Sequence, residues 1–472
     1  MRSFGCTAIA YVLLFIVASC IFLSFHPEYY TFTDFYNQKR VLALIIIVIT
    51  LLVALLLNPV GVFEQFTLRW GFANLGLYVF FAIGLTSLVL SDRPINALHE
   101  WLSFLFLWFF VVSLVVLFER YKLLCRYAII FLCLCSGLYL AKFLMVLFLS
   151  LLNGYPVDQK VLVSGVVNEN FIAQPLAMLA PFFAVWAIAG KVRFAWVLGG
   201  FFFISLFFMM IIYNRSVVLT LSIVFVAWAL YAKNQKSSSL LALYFLCFGL
   251  SLLFFWLIAY FFGMVGVDAQ IKNMLNDSAR ELLWREALLA GVKNPLLGVG
   301  PYGYTFITPI DGTAHPHNFY LQLIAEWGLV ATFALGVTAI SLFFVVIKAV
   351  RLSGAPSLFL GAFLGLCEGV LHAGLSGVLV MPLSQIVFCI LVAVLINYCR
   401  WLSSEGKVAA SIADSRRDQY INTGFSVAVL SCLGLYIFVS YGLSLWVSDN
   451  CITNIGPRYW VDGGVVSCHS YP

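Results

Sequence analysis

Apolar residues fall along this chain in blocks long enough to cross a bilayer, which takes about 20 residues per helix. Such runs occupy 7–25, 41–57, 70–90, 99–118, 127–151, 171–189, 194–213, 216–232, 239–264, 318–347, 357–376, 382–399 and 424–446, and predict about thirteen transmembrane helices. Polar punctuation separates them, as in Ser91-Asp92-Arg93-Pro94 and Lys233-Asn234-Gln235-Lys236. The seventh and eighth runs are joined by so few residues that they must form a tight antiparallel hairpin. The pattern divides the chain into helices 1–9 (1–264), one long loop carrying a short amphipathic helix (265–316), helices 10–13 (317–446) and a C-terminal tail (447–472).

Composition excludes the alternatives. Of 472 residues, 63% are hydrophobic and only 10% charged, with a mean hydropathy of +1.03; soluble domains carry roughly 45–50% apolar and about 25% charged residues. So little charge cannot coat a water-facing surface of this size, so a soluble enzyme, a secreted scaffold and a disordered chain are all excluded. The fold class is all-α, a polytopic membrane protein embedded in the lipid bilayer. The net charge of +6 is dispersed in short clusters between apolar runs, a positive-inside pattern, and implies no nucleic-acid partner. With the N-terminus cytoplasmic, fifteen Lys and Arg fall in inner loops and five in short outer ones. That count places the loops at 152–170 and 265–316, and the tail after 447, outside the membrane. Val17-Ala18-Ser19-Cys20 resembles a lipoprotein cleavage box, but the apolar run continues through Ile21-Phe22-Leu23, and a plain first helix is the better reading. Ten of the twelve cysteines lie in or beside apolar runs, where Cys is a small hydrophobe. Cys451 and Cys468 lie in the tail, where an external compartment permits a disulfide that would contribute ~3 kcal/mol of local order.

Polar groups gather on one side. His26, His99, His315, His317 and His469 map to the outer face, as do Arg215, Arg280 and Arg285, so any chemistry belongs there. Arg215 stands at the turn of the tight hairpin; it is either a snorkelling interfacial arginine or a cation for an anionic ligand. In the segment 276–304, Asp277 or Ser278 can cap a short helix on which Arg280, Trp284, Ala287 and Leu288 share a face. Gly298-Val299-Gly300-Pro301-Tyr302-Gly303 matches GxGxxG but follows a helix and opens no βαβ unit, so it reads as a tight turn and not a dinucleotide site. His315-Pro316-His317-Asn318 opens the tenth run; lacking a nearby Cys or acidic pair, it favours proton transfer or substrate positioning over metal binding. No metal constellation and no cofactor motif is visible. Lys142, Glu368 and His372 lie within apolar runs, where ionisable groups are costly and usually paired. A Lys142–Glu368 pair would suit a rival reading, a proton-coupled transporter or lipid flippase.

Several of these residues together resemble the O-antigen ligase and polymerase superfamily. They are Arg280-x3-Trp284-Arg285-x-Ala287, then Asn294-Pro295-Leu296-Leu297-Gly298-Val299-Gly300, then His315-Pro316-His317-Asn318-x2-Leu321-x4-Glu326-x-Gly328. Asn168-Glu169-Asn170 and Asn214-Arg215-Ser216 are similar to two further family landmarks. The resemblance implies a GT-C-like membrane fold and a metal-independent, inverting glycosyltransferase at the periplasmic face of the bacterial inner membrane. It implies an undecaprenyl-diphosphate-linked glycan donor and, foremost, a lipid A core acceptor; a protein such as pilin, or a growing glycan, are the alternatives. His317, Arg280 and Arg215 then stand as catalytic residues, and Arg285, Asn318, Asn170, His315 and Trp284 as substrate-binding ones. Lipopolysaccharide ligases of the family keep both ends inside, whereas here an additional span exports a tail with Cys451, Arg458, Tyr459, Trp460 and Cys468.

Overall fold

A computed structural model describes residues 2–26, 35–67, 72–163, 168–190, 192–264, 278–310, 313–352 and 355–404, with Gly434 and Tyr436. The helices, numbered in chain order, are α1 (Arg2–Phe25), α2 (Phe35–Leu57), α3 (Pro59–Thr67), α4 (Phe72–Val89), α5 (Pro94–Arg120), α6 (Lys122–Leu152), α7 (Gln159–Leu162) and α8 (Glu169–Ala189). There follow α9 (Val192–Ile211), α10 (Arg215–Ala232), α11 (Gln235–Phe262), α12 (Ser278–Lys293), α13 (Phe319–Leu352), α14 (Ser357–Ala373) and α15 (Pro382–Ser404). Among the described residues nine helices are long and apolar enough to cross a membrane, and Ile9–Phe25, Leu75–Val89 and Ser357–Ala373 are shorter apolar helices. All twelve fall on predicted runs. The tail with Cys451, Cys468 and His469 lies outside the described residues, as does the thirteenth run except for Gly434 and Tyr436. Tyr436 stacks on Phe106 of α5 at 5.0 Å between ring centroids. α1 passes unbroken through Cys20, as a plain helix should.

The polar punctuation acts through helix caps. Lys233 takes a left-handed φ of +47°, and Asn234 then caps α11, its Oδ1 accepting from the Ser237 amide at 2.8 Å. α8 is apolar all round and stands at the centre, packed on α9, α14 and α15, with 78% of its span buried. α11 and α13, only 22% and 17% buried, present Phe254, Trp256, Phe333 and Phe344 outward, an apolar surface suited to lipid.

α13 is kinked at Gly328, which has a φ of +79°. The kink frees backbone groups that the turn after α12 takes up: the Val299 amide donates to the Ala325 carbonyl at 2.8 Å, and the Leu329 amide to Pro295 at 2.7 Å. The approach is close enough that a Cβ on Gly298 (φ +67°) would lie 2.4 Å from the Glu326 carbonyl carbon, and one on Gly328 2.6 Å from Leu296. The glycine-rich segment is thus a turn followed by one 3₁₀ turn (Gly303–Phe306), clamped to α13.

Gly298→Ala and Gly328→Ala should each destabilise the fold, by about 1–3 kcal/mol from backbone strain alone. Gly336→Ala, at a helical position with open space around it, should leave stability unchanged or raise it slightly. Apparent melting temperatures in detergent check this; equal values for all three variants would refute the clamp.

Candidate functional site

One half of the site is built where α8, α10 and α14 meet. Asn168 caps α8, its Oδ1 accepting from the Asn170 amide at 2.8 Å. Asn170 Oδ1 in turn accepts from Asn214 Nδ2 at 2.8 Å. Asn214 caps α10 through Oδ1, which accepts from the Val217 amide at 3.1 Å and from Ser216 Oγ at 2.9 Å. Tyr213, at φ +54°, makes the sharp reversal that the short hairpin connection demands. Arg215 therefore starts the first turn of α10 with its side chain exposed.

Behind it the polar network runs into the bundle. Ser216 Oγ lies 3.2 Å from His372 Nε2, His372 Nδ1 lies 3.2 Å from Glu368 Oε1, and Thr220 Oγ1 donates to the same carboxylate oxygen at 3.3 Å. The side chains of His372 and Glu368 are wholly buried. The expected Lys142–Glu368 pair is not formed. Glu368 faces α10 and its own helix, while the Lys142 ammonium lies 5.3 Å from the Tyr139 ring centroid on α6.

The second half is built on α12 and the histidine loop. Leu283, Ala287 and Ala290 are the buried face of α12, packed with Tyr304 and Ala325. Half-buried Trp284 donates from Nε1 to the Pro316 carbonyl at 2.9 Å, holding the loop against the helix. Leu288 proves to be 49% exposed, not on the packed face. The Arg285 side chain is 70% exposed and lies 3.8 Å from Glu286. The backbone amide of His317 donates to Nδ1 of buried His315 at 3.1 Å, and the two rings meet edge to face at 4.3 Å. His317 is itself held at φ +54°. Asn318 Oδ1 accepts from the amides of Tyr320 and Leu321 at 3.0 and 3.1 Å and so caps α13. Burial lowers the His317 pKa to about 4, and the guanidinium of exposed Arg280 adds to the shift.

The end of α14 joins the halves. His372 contacts Ser216; Tyr320, just beyond the histidine loop, donates its hydroxyl to the Val370 carbonyl at 2.6 Å; and a Cβ on Gly377 would lie 2.8 Å from the His315 ring. Gln174 of α8 bridges Ser376 and Ser384, each at 3.0 Å. Nearby, buried Arg40 donates to Gln385 Oε1 and to the Val380 carbonyl, both at 2.8 Å. Gln174, Ser376, Gly377 and Ser384 escape the sequence reading. Their only mark there is a polar or small residue within or beside an apolar run. Among the described residues no three His, Cys, Asp or Glu side chains form a group able to hold a metal.

The family model described as O-antigen ligase matches residues 200–336. No curated protein matches the chain. The family comprises glycosyltransferase-like ligases and polymerases. The matched segment contains Arg215, all of α12, the histidine loop and the Gly328 kink, while Asn170, Gln174 and the α14 end come from outside it.

An unfolded chain titrates its histidines near 6.5, and the folded state holds His317 well below that. His317 is therefore neutral at pH 7. Its contribution to stability is complete above about pH 6.5 and falls away as pH drops toward about 4. Isotope-labelled histidine NMR, with His317→Gln as the assignment control, should place this titration near pH 4. Arg280→Gln should raise it, though short of 6.5 because burial persists. A wild-type midpoint near 6.5 would contradict the geometry.

Proposed function

We propose that the protein is a glycosyltransferase which moves a glycan from an undecaprenyl-diphosphate-linked donor to a hydroxyl acceptor, foremost a sugar of lipid A core. The reaction would take place at the periplasmic face of the bacterial inner membrane. The observation that carries this reading is the pairing, within an O-antigen ligase domain, of a histidine kept neutral with an arginine close enough to act on it electrostatically. A neutral imidazole is able to take a proton at physiological pH, and a guanidinium fork matches phosphate oxygens.

In this mechanism Arg215 and Arg280 hold the donor's diphosphate. His317 takes the proton of the acceptor hydroxyl, whose oxygen attacks the anomeric carbon from the face opposite the diphosphate. The carbon–oxygen bond to the diphosphate breaks, the leaving group departs with the electron pair, and the guanidinium groups offset the charge it gains. The anomeric centre is inverted, and no step calls on a metal. His315 and Trp284 fix the histidine loop, and Asn170 and Asn318 act through the helix caps that set Arg215 and His317. Arg285 has no part in the clamp. The transporter reading loses its Lys142–Glu368 pair, and the buried Glu368 and His372 are instead built onto the hairpin that carries Arg215.

With purified protein and lipid-linked glycan, Arg215→Lys and Arg280→Lys should each lower transfer by about 10²–10³, because a point charge loses the fork geometry. His317→Ala should lower it by about 10²–10⁴. Wild-type rates in both lysine variants would sink the clamp. A deletion strain reads out the acceptor: accumulated lipid-linked glycan with bare lipopolysaccharide core supports the ligase, whereas unglycosylated pilin with normal lipopolysaccharide refutes it.

A further inference from the structure

The glycine-rich turn and the Ser91-Asp92-Arg93-Pro94 punctuation have no part in the mechanism above, yet together they enclose a second cavity. It has a volume of about 550 Å³ and lies between the α4–α5 turn and the 294–307 segment. That size is within the roughly 300–1,000 Å³ of small-molecule sites.

Its walls are held in place from both sides. Ser87 Oγ donates to the Leu297 carbonyl at 2.6 Å, and Ser91 Oγ accepts from the Arg93 amide at 3.2 Å. The Arg93 guanidinium lies 4.2 Å from the Phe306 ring centroid. Gly300, at φ +95°, comes so close to Ser91 that a Cβ there would lie 2.6 Å from its hydroxyl. One residue before Phe306, Thr305 Oγ1 donates to the Ala314 carbonyl at 3.1 Å, directly beside His315, so the cavity wall and the histidine loop are one connected piece.

The lining chemistry discriminates between ligands. Its ionisable side chains are Asp92 and Arg93, of opposite sign. A cavity with no net charge does not select a diphosphate, which the clamp of Arg215 and Arg280 suits better. A carboxylate, a guanidinium and the exposed Asn294 amide supply both acceptors and donors, matching the hydroxyls of a neutral polyol, while Phe306 offers apolar surface to its C–H groups. We propose that this cavity binds a neutral saccharide unit of a glycan substrate, whether the donor's or the acceptor's, next to the transfer site. The proposal rests on the glycosyl-transfer reading for its biological meaning, but not for its test.

Asp92 and Asn294 are both exposed, so the double variant Asp92→Asn/Asn294→Ala should fold normally. In initial-rate assays with each substrate titrated in turn, it should raise the KM for one glycan about tenfold while kcat stays within twofold. The affected KM identifies the source, donor or acceptor. Unchanged KM values for both substrates would overturn the proposal. Binding without catalysis is read by saturation-transfer NMR with two probes, core oligosaccharide released from the host's lipopolysaccharide and glycan released from its lipid-linked donor. Wild-type protein should transfer saturation to at least one probe and the double variant to neither; equal signals from both proteins, or none from wild type, would overturn it. If Arg215→Lys retains full transfer while the double variant loses probe binding, the clamp fails and the saccharide cavity stands.

Discussion

A carboxylate and an imidazole buried side by side between α10 and α14 set the positions of the groups around them at this end of the bundle. Neither Glu368 nor His372 reaches solvent, and a bilayer offers no water to satisfy them. Each must find partners in the protein. The partners they find are Thr220 and Ser216, on the first turns of α10. Ser216 also donates to the Asn214 cap, and Asn214 reaches Asn170 on α8. The contacts of these two polar groups in a low-dielectric interior thereby tie three helices together. Arg215 is exposed at the end of that chain of contacts, on a backbone turn held by the Asn214 cap.

The histidine loop obeys a different constraint, steric instead of electrostatic. The kink at Gly328 opens the α13 ladder, and the Pro295–Val299 turn closes it again from outside. The turn draws α12 against α13, and Trp284 then grips the Pro316 carbonyl. His317 sits in a left-handed conformation that a residue of its kind adopts only when its surroundings impose it. The two halves meet at the α14 end and the residues just after it, where a glycine at position 377 lets the His315 ring pass close by.

The spans were legible because an apolar run of bilayer length admits few other structures, and the hairpin at 213–216 because its connection is too short for anything else. The histidine loop, α12 and Arg215 were legible as chemistry because charge is rare here and theirs falls at the ends of helices. Misjudged were the partners inside the membrane. A Lys142–Glu368 pair was possible because both are ionisable groups within apolar runs, but Glu368 faces α10 and half-buried Lys142 lies beside Tyr139. Leu288 was misjudged for the same reason: a spacing of 3.6 residues defines a face, but not which way the helix turns it. Arg40 read as a loop charge and proves buried, since a guanidinium can enter a protein interior once Gln385, Val380 and Tyr36 take its donors.

The arrangement of Arg280 and His317 has a consequence for the order of events in a transfer reaction. Burial alone keeps the imidazole neutral, and the guanidinium keeps it so with an added margin that makes it a weaker base. A weak base stays deprotonated while the site is empty, so in the proposed transfer no proton would have to leave first. An anionic diphosphate held by Arg280, as proposed, would offset the field that opposes protonation, and the same imidazole would gain proton affinity without moving. In that reaction the base would be strongest with the leaving group in place, and an acceptor hydroxyl arriving before the donor would meet a histidine with little tendency to take its proton.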